Sequence, residues 1–294
     1  MDSRLTPVAI RAALLAARNP DGGWPYYPQH ASRLEPTVWA LLALARDADR
    51  PAEIDVIVRW PGREGWLVDG PASAPVNYPF NALAALACID RSDRPGAGPL
   101  VTRIAKQLVA AKGLALAQND VQRQNNGLQA WPWIDQTFSW VEPTAWCTLF
   151  LKKIRALSIP GAAERITTAE QVMRDRVCRD GGWNYGSSNA YGQELYPYVP
   201  TTAITLLAMQ DQRADPVVVK SLTYLEANVT SERTSVALSL SAICFAIYGL
   251  PIDTIGRALA GPTEVSRARD NVLGLAMSLY ALSENPHAMA AFAL

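Results

Sequence analysis

The sequence predicts an all-α fold, an (α/α)6 toroid in which about twelve helices pair into six hairpins and close into a barrel. Three observations carry that expectation. Apolar residues recur at three-to-four spacing in twelve segments bounded by Pro, Gly, Asp and Asn, and no segment reads as a strand. A small or glycine-containing turn followed by tryptophan returns at Trp24, Trp66, Trp131 and Trp183. The connections also alternate, mostly short after even-numbered helices and long before the first four of them.

In chain order the periodicity predicts helices near 5–18, 36–48, 51–60, 78–91, 97–117, 142–157, 161–178, 200–212, 214–228, 232–249, 251–261 and 269–283. The 51–60 and 251–261 segments have the weakest pattern. Even-numbered helices are rich in Ala and Leu and poor in charge, which places them in an inner ring. Odd-numbered ones, such as IRAALLAAR, VTRIAKQLVAAK and ITTAEQVMRDRV, carry charge on one face and belong outside, against water. No segment reads as a linker, so residues 1–294 are expected to form one domain.

The repeats are most alike where they enter an inner helix. EPTVWALLAL begins at Glu35 and EPTAWCTLFL at Glu142, and in both the threonine stands thirteen places after the tryptophan. VPTTAITLLAM from Val199 keeps Pro-Thr without the glutamate, and NYPFNALAALA from Asn77 keeps only the helix. The double glycine permits a tight turn, the four tryptophans are expected as buried staples between hairpins, and Pro-Thr starts the inner helix.

Composition narrows the functional classes. The 294 residues are 49% hydrophobic and 18% charged, with 27 Lys plus Arg balancing 27 Asp plus Glu. A large core is therefore available. No basic stripe points to nucleic acid as a partner. No apolar run approaches the roughly 18 residues of a membrane span. The N-terminus does not read as a secretory signal. Cys88, Cys147, Cys178 and Cys244 are far apart without a CxxC spacing, so they are read as reduced core thiols of a cytoplasmic protein.

NPDGGW and CRDGGW, each followed by EPT or PT and an Ala/Leu-rich helix, resemble the repeats of the squalene cyclase and protein prenyltransferase β-subunit superfamily. The resemblance covers nearly the whole chain by helix count and is strongest in four repeats. It implies a toroid with an apolar pocket and a small hydrophobic, isoprenoid substrate. No cofactor is implied, apart from Mg²⁺ if that substrate is a diphosphate. The chain departs from the superfamily at both of its acid and metal signatures. There is no DxDD motif, Asp47-Ala-Asp49-Arg50 being a near miss at a helix end. There is no Asp-x-Cys pair for zinc, and the histidines are His30 and His287 alone.

Overlaid on the cyclase pattern, Glu35 falls where the protonating aspartate would be, with Glu142 its counterpart in another repeat. These two are the candidate catalytic acids. The alternative is structural: an acid just before Pro36 or Pro143 accepts orphan N–H bonds at a helix start. The readings predict opposite protonation, because a helix N-terminus lowers a carboxyl pKa and alkene protonation needs it raised. Candidate substrate-binding residues are Tyr27, His30, Trp133, Phe138, Trp140 and Tyr191, which sit in the long loops without recurring at fixed offsets. Arg33, Arg233, Arg267 and Arg269 lie near inner-helix starts and are candidates for a diphosphate. Two other functions fit the same sequence. One is a non-catalytic toroid that binds a hydrophobic ligand or a partner protein. The other is a carbohydrate-active toroid, with an acid–base pair drawn from Asp21, Asp135, Glu35 and Glu142.

Overall fold

The computed structural model describes residues 6–45, 53–71, 74–90, 94–118, 120–260, 271–283 and 289–294. Among them are twelve α-helices in two concentric rings. The outer ring holds α1 (Pro7–Ala16), α3 (Asp55–Val58), α5 (Ala97–Ala110), α7 (Ala162–Asp175), α9 (Pro216–Asn228) and α11 (Asp253–Leu259). The inner ring holds α2 (Leu34–Leu44), α4 (Tyr78–Ile89), α6 (Val141–Lys153), α8 (Val199–Ala208), α10 (Ser235–Tyr248) and α12 (Val272–Ala281). Each inner helix packs on the next, and α12 packs on α2 to close the ring. Hydrophobic pattern sorts the two rings. Every residue of α6 from Pro143 to Lys152 is buried, whereas α5 buries a stripe of Leu100, Val101, Ile104, Ala105 and Leu108. No helix among the described residues is long and apolar enough to cross a membrane.

The tryptophan repeat works through hydrogen bonds. The indole N–H groups of Trp24, Trp131 and Trp183 donate to the carbonyls of Leu14, Leu108 and Met173 near the ends of the outer helices. Their backbone N–H groups donate to Thr37, Thr144 and Thr202 on the inner helices, at 2.8, 3.4 and 3.0 Å. One residue thus ties an outer helix to an inner one. The glycines make room for this tie. Gly182 has φ +73°, and a Cβ there would stand 2.7 Å from the Thr202 hydroxyl.

The second hairpin differs from expectation. Trp66 is only half-buried and packs on Tyr78 with ring centroids 4.9 Å apart. Leu67 takes the staple's backbone role, exchanging 2.9 Å hydrogen bonds with Asn81, which replaces the threonine. Thr37→Val should destabilise the fold by about 1–3 kcal/mol, because it strands the buried Trp24 N–H. Equilibrium urea unfolding checks this, and an unchanged midpoint would mean the staple holds without its hydroxyl.

A second set of bonds runs around the ring at the end where inner helices begin. The first N–H of α2 donates to Asp69 O, that of α4 to Trp133 O, that of α6 to Tyr185 O, and that of α12 to Tyr26 O. Each start is thus satisfied by a carbonyl from the next loop round. Side-chain caps from Thr6, Asn77, Asp215, Thr234 and Asn271 serve α1, α4, α9, α10 and α12, so α4 and α12 have both.

The opposite end is closed by the C-terminal segment. Lys153 Nζ donates to the carbonyl of Ala293 at 2.7 Å, and Gln210 clasps Phe292 O and Leu294 N at 2.8 and 3.0 Å. These bonds seat the fully buried Phe292 ring among Trp39, Trp146 and Tyr280, with centroid distances of 5.3, 5.7 and 5.3 Å. Four aromatic rings therefore fill the middle of the toroid.

Some predicted boundaries move. The helix expected over 97–117 stops at Ala110, because Gly113 passes so close to Ser139 that a Cβ would sit 2.5 Å from its hydroxyl. The chain then runs extended, and Leu114 bridges Phe138. The helix expected over 142–157 ends at Lys153 and continues as a 3₁₀ turn, Arg155–Leu157. The 51–60 segment is described as helix only over Asp55–Val58. Two short antiparallel hairpins also occur in the loops, β1 (Gly62–Arg63) with β2 (Trp66–Leu67) and β3 (Asn189–Ala190) with β4 (Gln193–Glu194). All four cysteines are buried and unpaired.

Candidate active site at the loop end of the toroid

Glu35 and Glu142 do not cap their helices. Each is the second residue of its helix, α2 and α6, and neither helix has a side-chain cap. Because Asp69 O and Tyr185 O already satisfy the first N–H of each, the glutamates are free to turn elsewhere. The capping expectation is overturned for that reason.

The repeated Glu-Pro-Thr-x-Trp spacing sets the geometry. Glu35 stands one turn before Trp39, and Glu142 one turn before Trp146, so acid and indole share a helix face. The two indoles meet edge to face at 6.2 Å. The two acids are accordingly brought within electrostatic reach of each other at the mouth of the inner ring. Both are half-buried.

Burial controls their protonation. Loss of solvation pushes Glu35 up to about 8, with the neighbouring Glu142 and Asp69 charges adding to the rise. A hydrogen bond from the Tyr26 hydroxyl and the charge of Arg33 oppose it. Glu142 is pushed up to about 7 by the same loss of solvation, opposed by a hydrogen bond from Trp146. The helix dipole favours a carboxylate at both positions, yet desolvation wins. Near neutral pH Glu35 therefore keeps its proton, while Glu142 stands between its protonated and ionised forms.

A third carboxyl stands beside them. Asp69, in the loop entering α4, is buried and raised by its burial, although Arg33 pairs with one of its oxygens. Its Oδ1 is buried with no hydrogen-bond partner among the described residues. Asp69 has no counterpart in the other repeats, so no pattern in the sequence singles it out. Arg33, expected as a diphosphate ligand, is committed to Asp69 and lies over the Tyr26 ring at 5.6 Å. Arg233 is exposed and folds back onto the Thr230 and Glu232 carbonyls. Arg267, Arg269, His287 and Asp47-Ala-Asp49-Arg50 lie outside the described residues.

The predicted binding residues divide into two groups. Phe138 and Trp140 stack at 4.7 Å beside the start of α6, and Trp133 packs on Phe80 at 6.0 Å while its carbonyl holds α4. These three rim the loop end. Tyr27 and His30 instead contact each other at 6.3 Å, and His30 lines a separate cleft of about 760 Å³ with Asn19, Asp21, Arg59 and Trp60. Tyr191 stands at the tip of the β3–β4 hairpin, where its φ of +51° and that of Gly192 make the tight turn. Asp21 accepts from Gly23 N and the Ser32 hydroxyl and so shapes its loop, while Asp135 is exposed. Neither sets the protonation of Glu35 or Glu142. Sequence reasoning missed Asp69 and the pairing of Tyr26 with Glu35.

No family model and no curated protein sequence matches the chain. Solved structures do match it along nearly its full length. An alpha-amylase from Clostridium perfringens superposes with a TM-score of 0.64 at 8% identity, over 93% of this chain and 96% of that one. An alpha-1,6-mannanase of Salegentibacter, in complex with alpha-1,6-mannotriose, gives 0.61 at 10% identity, over 94% and 98%. Rex8A from Paenibacillus barcinonensis, complexed with xylose, gives 0.55 at 11% identity, over 98% and 94%. The fold is the α/α toroid, and the likeness to the squalene cyclase superfamily extends to that architecture and no further.

Proposed function

We propose that this toroid is a carbohydrate-active enzyme that hydrolyses glycosidic bonds, with Glu35 as proton donor and Glu142 as its partner carboxyl. One observation carries this reading: two carboxyls with raised pKa lie within electrostatic reach of each other, each one turn before an indole of the aromatic cluster in the inner ring. The solved relatives of this fold include an amylase, a mannanase and a protein complexed with xylose, which supports a saccharide substrate. The isoprenoid expectation shares a protonated Glu35 but requires a deep apolar chamber below it. Trp39, Trp146, Tyr280 and Phe292 occupy that volume. A purely partner-binding toroid gives no reason to hold two acids whose desolvation is costly.

In the proposed reaction Glu35 gives its proton to the departing glycosidic oxygen. The ionised partner either activates water or attacks the anomeric carbon, and water ends on that carbon in both cases. Reducing-end release from gluco-, manno- and xylo-oligosaccharides tests the reading, with geranylgeranyl diphosphate and Mg²⁺ as the competing substrate. Release from at least one glycan is expected. A cyclised or transferred isoprenoid, with every glycan intact, would overturn it. The kcat/KM profile should be a narrow bell, its limbs belonging to the pair near pH 7 and pH 8. Below the window the partner is protonated and cannot act as base, and above it the donor has lost its proton.

A further inference from the structure

Beside Glu142 the loop entering α8 and the start of α6 enclose a second feature, an open cleft of about 380 Å³. Its walls are aromatic. Tyr185 and Tyr198 contact each other at 5.1 Å, and Trp140 stacks on Phe138 behind them. Tyr185, Tyr196 and Tyr198 are 48%, 81% and 47% exposed, so these rings are held out to solvent rather than into the core. Gly186 keeps one edge of Trp140 uncovered, since a Cβ there would reach that ring at 3.4 Å.

The scaffold behind the rings is fixed by hydrogen bonds. Asn184 is buried and binds the carbonyls of Ser187 and Tyr196 and the N–H of Gly186. The Tyr198 N–H is held by Trp183 O, and the Tyr185 carbonyl receives the first N–H of α6. That last bond links the cleft to the catalytic carboxyl, because the next residue of α6 is Glu142. Burial raises the Tyr185 phenol, and the Glu142 charge adds to that rise.

We propose that this cleft is a substrate subsite for an uncharged sugar unit, held against the Tyr185, Tyr196, Tyr198 and Trp140 rings next to the bond that Glu142 meets. The proposal rests on the glycosidase reading above and specifies its substrate as a neutral glycan. The chemistry of the walls selects that ligand. A pyranose has an apolar C–H face that covers an aromatic ring and an equatorial rim of hydroxyls that meets phenol O–H groups. Among the described residues no Lys, Arg, Asp or Glu lines the cleft, so none of them pairs with a uronate or a diphosphate. Its volume lies within the roughly 300–1,000 Å³ of small-ligand sites.

Affinity electrophoresis through gels containing soluble neutral polysaccharides (glucan, mannan and xylan) tests the subsite, with polygalacturonate as the charged control. The parent should be retarded by at least one neutral polymer and not specifically by the charged one. Tyr198→Ala and Tyr196→Ala, both at exposed side chains, should keep the parent's melting temperature and weaken retardation roughly tenfold, equivalent to about 1.4 kcal/mol. Equal retardation of parent and variants, or retardation by polygalacturonate alone, would overturn the subsite. The two levels separate cleanly. Binding lost in the variants without any hydrolysis by the parent keeps the subsite and removes the catalytic reading. Hydrolysis and binding by the variants at the parent's level do the reverse.

Discussion

Glu35→Gln should yield a protein that has lost its chemistry and gained heat stability at alkaline pH. In the proposed hydrolysis the amide cannot donate the proton that the leaving group needs, so turnover should fall by about 10²–10⁴-fold. The stability gain follows from the raised pKa. A carboxyl at about 8 in the fold and near its ordinary value when unfolded is bound more tightly to its proton in the native state. Its stabilising contribution is full below the unfolded pKa and is lost as pH rises through the folded value. The parent should therefore lose a few kcal/mol between about pH 5 and pH 8, roughly 5–10 °C in melting temperature, and the variant less. Parallel melting curves for parent and variant across that range would refute buried, protonated Glu35. Full turnover by the variant would remove it as the donor.

Phe292→Ala should be the most damaging single change to the fold. Its ring is completely buried and touches three other aromatics along the toroid axis. Removing it leaves a cavity that rigid inner helices cannot collapse to fill, a loss of about 3–5 kcal/mol and roughly 10 °C. Differential scanning calorimetry reads this directly. A change below a degree would mean that the tail does not sit in the axis. Glu35 is on the same helix one turn above Trp39, so a variant that survives should also show altered activity.

The fold was legible because the toroid repeats its own instructions. Gly-Gly-Trp and Pro-Thr recur, each pair forms the same hydrogen bonds, and the helix period between them is regular. The second hairpin was misaligned by one residue, since Trp66 resembles the staples while Leu67 performs the task with Asn81. Glu35 and Glu142 could be found by their repeat, but their role could not. A helix-start acid before proline looks like a cap until the neighbouring loop is seen to supply the carbonyl instead. That donor–acceptor pairing joins Leu34 to Asp69, far along the chain and beyond any local pattern. Asp69 was invisible for the same reason. Phe292 lies in AMAAFAL, a tail with no period, and only its contacts reveal it.

The seated tail gives this barrel the shape of a cup. Whatever reaches Glu35 and Glu142 must arrive and depart through one opening, and a long polymer cannot be drawn through the middle and out at the base. For the proposed hydrolysis, a glycan would approach from the loop end and lie across the rim, with its products leaving by the same side.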